Sequence, residues 1–418
     1  MDKIRINLQD LLICMSKAQD LMSPHLSNHH QRVAYLAFRI AEQIDLPVEQ
    51  QKNTFQAALI HDIGALSTNE KLDLIENEPL NINNHAIKGA KLIERFQPLQ
   101  QVSNIIKYHH IPWKNGQGSI CNGEKIPFES HIIHIADRIC AMIRPDNNVI
   151  SQLPEIISKI EEKRDSTFVP SLVDALLALS KKEYIWFDLV SDYPVIKMQN
   201  NELFDVLNLK VDDVVDLALV FSQIIDFRSS FTARHSAGVA KTAECLAGLV
   251  GFSAYKCKLM MIAGYLHDLG KLAISNEILE KTGKLSEDEF NIVRSHTYYT
   301  YHLLESIPAF KIINEWASYH HEKLDGTGYP FHIPGEKLSL GSRVIAVSDV
   351  FTAITEDRPY RKSMDDDSVK QVLNDMVESG ALDGEVVKIL LKNFQKIKNK
   401  CIAGQQEATE RYQKIVLS

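Results

Sequence analysis

Apolar residues recur at helical spacing along most of the chain. In VAYLAFRIAEQI (33–44), VVDLALVFSQIIDF (214–227), VAKTAECLAGLV (239–250) and SVKQVLNDMVESG (368–380) they fall at i, i+3, i+4 and i+7. That spacing gives each segment one apolar face and predicts an amphipathic helix. The strict alternation of a half-buried strand is scarce. Turn signals stand at Leu46-Pro47, at Ile111-Pro112 and from Gly326 to Pro330. The pattern predicts an all-α protein. A polar stretch, SDYPVIKMQNNE (191–202), interrupts the periodicity, so two helical domains are expected, 1–198 and 199–418.

The two expected domains repeat one another. The apolar run FQAALI leads into His61-Asp62-Ile63-Gly64, and MMIAGYL leads into His267-Asp268-Leu269-Gly270, 206 positions later. The same offset pairs His29 with His235 and Val33-Ala34 with Val239-Ala240. Further on, His85 pairs with His296 and His109-His110 with His320-His321 at an offset of 211, and Asp137 with Asp349 at 212. VPSLVDALLAL (169–179) parallels DGEVVKILLKN (383–393) in the same way. Seven His/Asp positions kept in order across two halves indicate a tandem duplication.

Composition narrows the classes. A chain of 418 residues is long enough for two cores. The net charge of −8 disfavours binding to polymeric nucleic acid, which needs a basic surface. No run of eighteen apolar residues is present, so no membrane span is expected, and MDKIRINLQD lacks the layout of a secretory signal. Cys14, Cys121, Cys140, Cys245, Cys257 and Cys401 lie far apart without a CxxC pair. That spacing suits reduced thiols in a cytoplasmic protein.

The duplicated residues are metal-ligand types. Histidine with carboxylate suits borderline first-row metals such as Fe, Mn or Zn. Adjacent His267 and Asp268 are expected about 100° apart on a helix, both able to face one site, with Asp268 offering two oxygens. His235, His296, His320, His321 and Asp349 would complete the ligand set from other helices of the bundle. Two ions about 3.5–4 Å apart supply hydroxide at neutral pH and clamp a phosphate for in-line attack. A single such histidine is ordinarily a satisfied core or surface residue; the ordered, duplicated set is what points to metal.

Over about residues 212–395 the second half resembles the HD-GYP subgroup of the HD-domain phosphohydrolases. The resemblance rests on HSAGVA from His235, HDLGKLAISNEIL from His267, His296, HHEKLDGTGYP (320–330), SDVFTAITEDRPYR (348–361) and LDGEVV. It implies tandem HD-type helical bundles and cleavage of a bacterial cyclic dinucleotide at an iron- or manganese-type centre. It also implies metal ligation by His235, His267, Asp268, His296, His320, His321 and Asp349, with Asp268 bridging. Lys271 is implied beside the scissile phosphate, making Asp268 and Lys271 the catalytic pair. Gly328, Tyr329, Pro330, Arg358 and Arg361 are the implied substrate-binding residues. Trinuclear members carry a glutamate four residues before the first histidine; here Phe231 stands there, so two metals are expected rather than three.

The first half keeps His29, His61, Asp62, His85, His109, His110 and Asp137, and has His25 where Phe231 stands in the second. It has Ala65 in place of Lys271, IPWKNGQGSI in place of the GYP loop, and only Arg144-Pro145 near the missing DRPYR stretch. A further metal held for stability or regulation is the expectation there, with an independent second activity as the alternative. The expected function is hydrolysis of a 3′,5′-cyclic dinucleotide, cyclic di-GMP or 3′,3′-cyclic GMP-AMP, to a linear 5′-phosphorylated product. Two other classes stay open at this point: a catalytically silent cyclic-dinucleotide-binding module, and a phosphohydrolase of mononucleotides. Contact between the two HD domains and a homodimer are also open.

Overall fold

The computed structural model describes residues 3–21, 28–65, 83–94, 96–192, 194, 206–226, 234–357 and 362–416. The chain forms two compact units: Asn7–Val206, and Leu207–Ser418 together with Met1–Ile6. Both are helical, as the 3.6-residue periodicity predicts. Among the described residues, strand structure is confined to two two-stranded sheets and one isolated bridge, Arg164 with Phe168.

The N-terminal unit is built from α1 (Leu8–Asp20), α2 (His29–Gln43), α3 (Val48–Leu59), α4 (Asn83–Ile93), α5 (Gln100–Lys107), α6 (Phe128–Met142), α7 (Val149–Glu162), α8 (Pro170–Leu179) and α9 (Glu183–Leu189). Its centre is α2, which packs against α3 and α6. The apolar stripe Val33, Ala34, Leu36, Ala37, Phe38, Ile40 and Ala41 is almost wholly buried there. Burial of such a stripe at about 25 cal/mol per Å² is what holds helices of this length in place. Between α5 and α6 lies a small hairpin, β2 (Ile120–Cys121) with β3 (Glu124–Lys125), antiparallel.

The C-terminal unit repeats the plan with α10 (Val211–Asp226), α11 (His235–Leu249), α12 (Ala254–Leu266), α13 (Asn276–Leu279), α14 (Glu287–Glu305), α15 (Lys311–Ser318), α16 (Leu340–Thr355), α17 (Asp366–Glu378), α18 (Gly384–Lys392) and α19 (Phe394–Val416). Here α11 is central and packs against α12, α16 and α19. Helix starts follow local capping chemistry. Ser286 and Glu289 form a reciprocal capping box ahead of α14, and Asp383 accepts from Glu385 and Val386 amides ahead of α18. The unit is discontinuous in sequence: β1 (Lys3–Asn7) pairs with β4 (Val206–Lys210), with Ile4, Ile6 and Leu209 buried.

The HD dipeptides sit just past a helix end and not within a helix, which corrects the expected 100° arrangement. α12 ends at Leu266; His267 is still helical in φ and ψ, but Asp268 (φ −97°, ψ 11°) opens a 3₁₀ turn over Leu269–Ala273. α3 likewise ends at Leu59, ahead of His61. The reason lies in the glycine that follows. A Cβ on Gly270 would fall 1.9 Å from the His296 carbonyl oxygen, and one on Gly64 2.1 Å from that of His85. Leaving the helix brings this glycine against the backbone that carries the third histidine, an approach only glycine allows. The turn is locked further in the C-terminal unit, where Thr300 Oγ1 donates to the His267 carbonyl (3.1 Å) and accepts from the Gly270 amide (2.9 Å).

Candidate metal centres

Each unit gathers its seven repeated residues at one place. In the C-terminal unit, His235 and Asp349 approach to 3.0 Å, His267 and Asp268 to 3.2 Å, and His296 Nε2 lies 3.4 Å from Asp268 Oδ1 and 3.3 Å from His320 Nε2. His321 follows with its ring 4.1 Å from that of His320 and 5.3 Å from that of His296. In the N-terminal unit, His29 and Asp137 approach to 3.1 Å and His85 and Asp62 to 3.1 Å. His61 lies 3.4 Å from Asp62, and His85 Nε2 is 3.4 Å from His109 Nε2 and 3.2 Å from His110 Nε2. Four groups have ligand atoms within 4.8 Å of one another: His235/His267/Asp268, His296/His320/His321, His29/His61/Asp137 and Asp62/His85/His109/His110.

Local hydrogen bonds aim the rings. His267, His296 and His320 each hold Nδ1 at 2.6–2.7 Å from the carbonyl three residues earlier, of Gly264, Val293 and Ala317. His61 and His109 do the same with Ala58 and Ile106, at 2.9 and 2.8 Å. A carbonyl accepts only from a protonated Nδ1, so Nε2 is left as the lone-pair nitrogen facing the cluster, the tautomer that a metal ligand needs.

The electrostatics fit a cation. His267 Nε2, Asp268 Oδ1, His61 Nε2, Asp62 Oδ1 and His29 Nε2 are buried without a well-aligned hydrogen bond. A buried orphan of this kind costs about 1–3 kcal/mol, which a coordinated ion would remove. Burial works to raise the Asp268 carboxyl, but the charges of His267 and Lys271 hold it well below the usual range. Asp349, Asp62 and Asp137 are held down in the same way against burial, by His235, His61 and Arg138 respectively. Burial pushes His296 down to about 3 and lowers His320, His321, His109 and His110 as well. Burial also opposes protonation of His235, yet Glu356 and Asp349 outweigh it and lift the group to about 10. His61 rises to about 9 against burial through Asp62 and Asp137. Ionised carboxylates beside the neutral imidazoles of His296, His320, His321, His109 and His110 are the donor set that metal binding requires, while His235 and His61 would give up a proton on ligation. These His/Asp clusters could hold metal ions.

The cations around the two clusters differ. Lys271 Nζ sits 2.6 Å from Asp268 Oδ2, on the 3₁₀ turn. The N-terminal unit has Ala65 there, and among the described residues Arg138 reaches its cluster, with Nη2 and Nε 2.8 and 3.1 Å from Asp137 Oδ2. The GYP loop closes over the C-terminal cluster. Gly328 is buried, and a Cβ on it would meet Lys323 N at 2.4 Å and His321 O at 2.6 Å. The Tyr329 ring lies 4.9 Å from that of His321, and the Arg294 guanidinium lies 4.9 Å from the Tyr329 ring. Pro330 follows, half-buried, and Glu322 holds the loop by accepting from the Phe331 and Ile333 amides at 2.7 and 3.1 Å. Arg358, Arg361, Phe231 and His25 lie outside the described residues. Several side chains beside these clusters are not marked by any motif: Glu356 against His235, Arg138 against Asp137, His30 against His61 and His134 against His110, with Arg294 over Tyr329. Their signal is spatial, since each meets its neighbour by an approach that no short motif encodes.

Family models of the HD domain match residues 26–142 and 219–386. A 3′3′-cGAMP-specific phosphodiesterase of Vibrio cholerae is 31% identical over 401 residues, 93% of this chain and 92% of its own. The chain belongs to the HD-GYP family. Other relatives match more briefly, among them a cyclic di-GMP phosphodiesterase of Pseudomonas aeruginosa, 36% identical over 39% of this chain and 39% of its own. The fold is shared with a crystal structure of a cyclic GMP-AMP-specific phosphodiesterase of Vibrio cholerae, at a TM-score of 0.64 and 23% identity over 94% of this chain and 98% of that one. Among the described residues no helix is long and apolar enough to cross a membrane.

Proposed function

We propose that the C-terminal unit of this HD-GYP hydrolase opens 3′,3′-cyclic GMP-AMP, with cyclic di-GMP as the weaker substrate. The observation that carries the substrate choice is extent. The relative matching across both units is named as specific for 3′3′-cGAMP, whereas the cyclic di-GMP relative described above covers 39% of this chain. Two divalent ions, Fe or Mn, are the reading that the donor set supports, with His235, His267, Asp268 and Asp349 on one side and Asp268, His296, His320 and His321 on the other. Such ions lower the pKa of water and neutralise phosphate charge.

The protein's own part is orientation and charge. The Nδ1 bonds of His267, His296 and His320 commit these rings to ligation and leave them no proton to exchange with substrate. Lys271 Nζ lies 2.6 Å from Asp268 Oδ2 at the edge of the cluster, where its ammonium would meet a non-bridging phosphoryl oxygen as negative charge builds there. Hydrolysis breaks the P–O3′ bond, leaving a 5′-phosphate on one nucleotide and a protonated 3′-hydroxyl on the other. Gly328, Tyr329 and Pro330 form the wall beside His321, where a base or ribose would rest; Arg358 and Arg361 complete the anion contacts in this reading.

The N-terminal unit, in the same reading, holds metal without hydrolysing substrate. Ala65 offers no charge to a phosphoryl group, and Arg138 commits one oxygen of Asp137. Its role is structural or regulatory. Purified protein incubated with Mn²⁺ and 3′,3′-cyclic GMP-AMP, cyclic di-GMP or cyclic di-AMP, with products separated by chromatography, tests the proposal. Linear 5′-phosphorylated product is expected, fastest from the mixed dinucleotide. No cleavage of any of the three would leave the silent binding module, and cleavage of mononucleotides alone would favour the general phosphohydrolase.

A further inference from the structure

His235 is aimed differently from its neighbours. It is the first residue of α11, and its Nδ1 meets the Glu356 carboxylate, at 3.1 Å to Oε1 and 3.3 Å to Oε2. Glu356 caps α16 two helical turns beyond Asp349, whose Oδ1 lies 3.0 Å from His235 Nε2. One helix therefore grips both nitrogens of the ring. Glu356 is itself fixed: it is 8% exposed, its amide donates to the Thr352 carbonyl at 3.1 Å, and Gln405 of α19 donates to its Oε2 at 3.4 Å. The offset of 212 that joins Asp137 to Asp349 places Arg144 opposite Glu356. Arg144 is exposed and pairs with Glu155 at 3.6 Å.

We propose that Glu356 is a positioning residue that orients His235 toward a divalent metal in the C-terminal centre; the N-terminal centre has Arg144 at the matching position. A carboxylate on the far nitrogen fixes ring orientation and tautomer and makes the ligating nitrogen more basic, and losing such a partner typically lowers metal affinity about 10–100-fold. The inference rests on the reading that this cluster holds metal through His235.

The test compares wild type with Glu356→Ala, Glu356→Gln, Gln405→Ala and His235→Ala in the full chain. It measures Mn²⁺ affinity by calorimetry, the visible spectrum of the Co²⁺-loaded protein, and turnover of 3′,3′-cyclic GMP-AMP. Glu356→Ala is expected to weaken Mn²⁺ binding about 10–100-fold and to shift the Co²⁺ bands. Its kcat should fall by the same factor at limiting Mn²⁺ and recover at saturation, with KM within about twofold. Glu356→Gln keeps an acceptor for the Nδ1 proton and should lose far less; Gln405→Ala should bind as wild type does. Wild-type affinity and an unshifted Co²⁺ spectrum in folded Glu356→Ala overturn the proposal, as do equal losses in Gln405→Ala, which would assign the effect to packing. Where the alanine variant does not fold, Glu356→Asp, which withdraws the carboxylate by one methylene, is held to the same criterion. A His235→Ala protein with undiminished metal would instead refute the metal reading itself.

Discussion

The two centres share seven residues, similar spacings and the same trick for aiming their imidazoles, yet they place their cations on different carboxylates. In the C-terminal unit Lys271 meets Asp268, the aspartate at the heart of the cluster. In the N-terminal unit Arg138 meets Asp137, the aspartate beside the first histidine, and Ala65 stands at the position matching Lys271. The comparison teaches that ligand geometry survives duplication more easily than the surrounding charge. Ligands are kept by the fold, because the glycine turn and the Nδ1 bonds are part of the backbone packing; a substrate-facing cation has no such tie.

The largest expected effect separates the halves outright. His267→Ala with Asp268→Ala should reduce turnover by at least roughly 1,000-fold, since it removes one ligand of one ion and the carboxylate shared by both ions of the proposed centre. His61→Ala with Asp62→Ala should stay within about fivefold of wild type, an effect on the order of 1 kcal/mol. Steady-state assays on folded variants check this, and equal losses would abolish the proposed division of labour. Next, Lys271→Ala should cost about 100–1,000-fold in kcat with a small change in KM, the scale of a lost charge-stabilising donor. The N-terminal unit also has IPWKNGQGSI in place of the GYP loop and lacks the DRPYR stretch, so Ala65→Lys alone should not create activity in a His267→Ala background.

A smaller effect concerns pH. In the metal-free protein His235 titrates at about 10 and His61 at about 9, above the ordinary histidine value. Folding therefore takes up protons between that value, about 6.5 in the unfolded chain, and the raised ones. The stability they contribute is complete below about pH 6.5 and is lost as pH rises through 9 to 10. The melting temperature of chelator-treated protein should fall over that window, and His235→Gln and His61→Gln should each flatten the fall. Metal binding should release protons, visible as a buffer dependence of the binding enthalpy. The smallest expected effect is that of Arg138→Ala. It frees Asp137 Oδ2 and should tighten N-terminal metal binding severalfold, on the order of 1 kcal/mol, with turnover unchanged. Metal analysis of this variant beside wild type measures it.

Most of the plan was legible in the sequence because the duplication printed it twice. The helical class followed from the 3.6-residue stripe, and the convergence of His235, His267, Asp268, His296, His320, His321 and Asp349 from their ordered repetition. What escaped was set by approach in space. The HD pair reads as helical by propensity, yet the chain leaves the helix there because Gly270 must reach the His296 backbone. Glu356 sits inside a stretch whose arginines drew attention, while its partner His235 lies 121 residues away. Arg138 follows Asp137 directly, and nothing in that adjacency says that its guanidinium folds back onto the carboxylate.

The pairing of β1 with β4 makes the C-terminal unit a two-piece object, with the N-terminal unit inserted between the pieces in sequence. During synthesis the first piece leaves the ribosome with no partner to pair with. The intervening unit can fold as soon as it emerges, and the ladder closes only after Val206–Lys210 has appeared. A fragment cut at residue 207, the obvious choice for someone wanting the hydrolase alone, discards Ile4 and Ile6 from a buried edge and splits the sheet. Supplying Lys3–Asn7 in trans, or grafting it ahead of residue 206 through a short hairpin, would rebuild the hydrolase as one continuous piece.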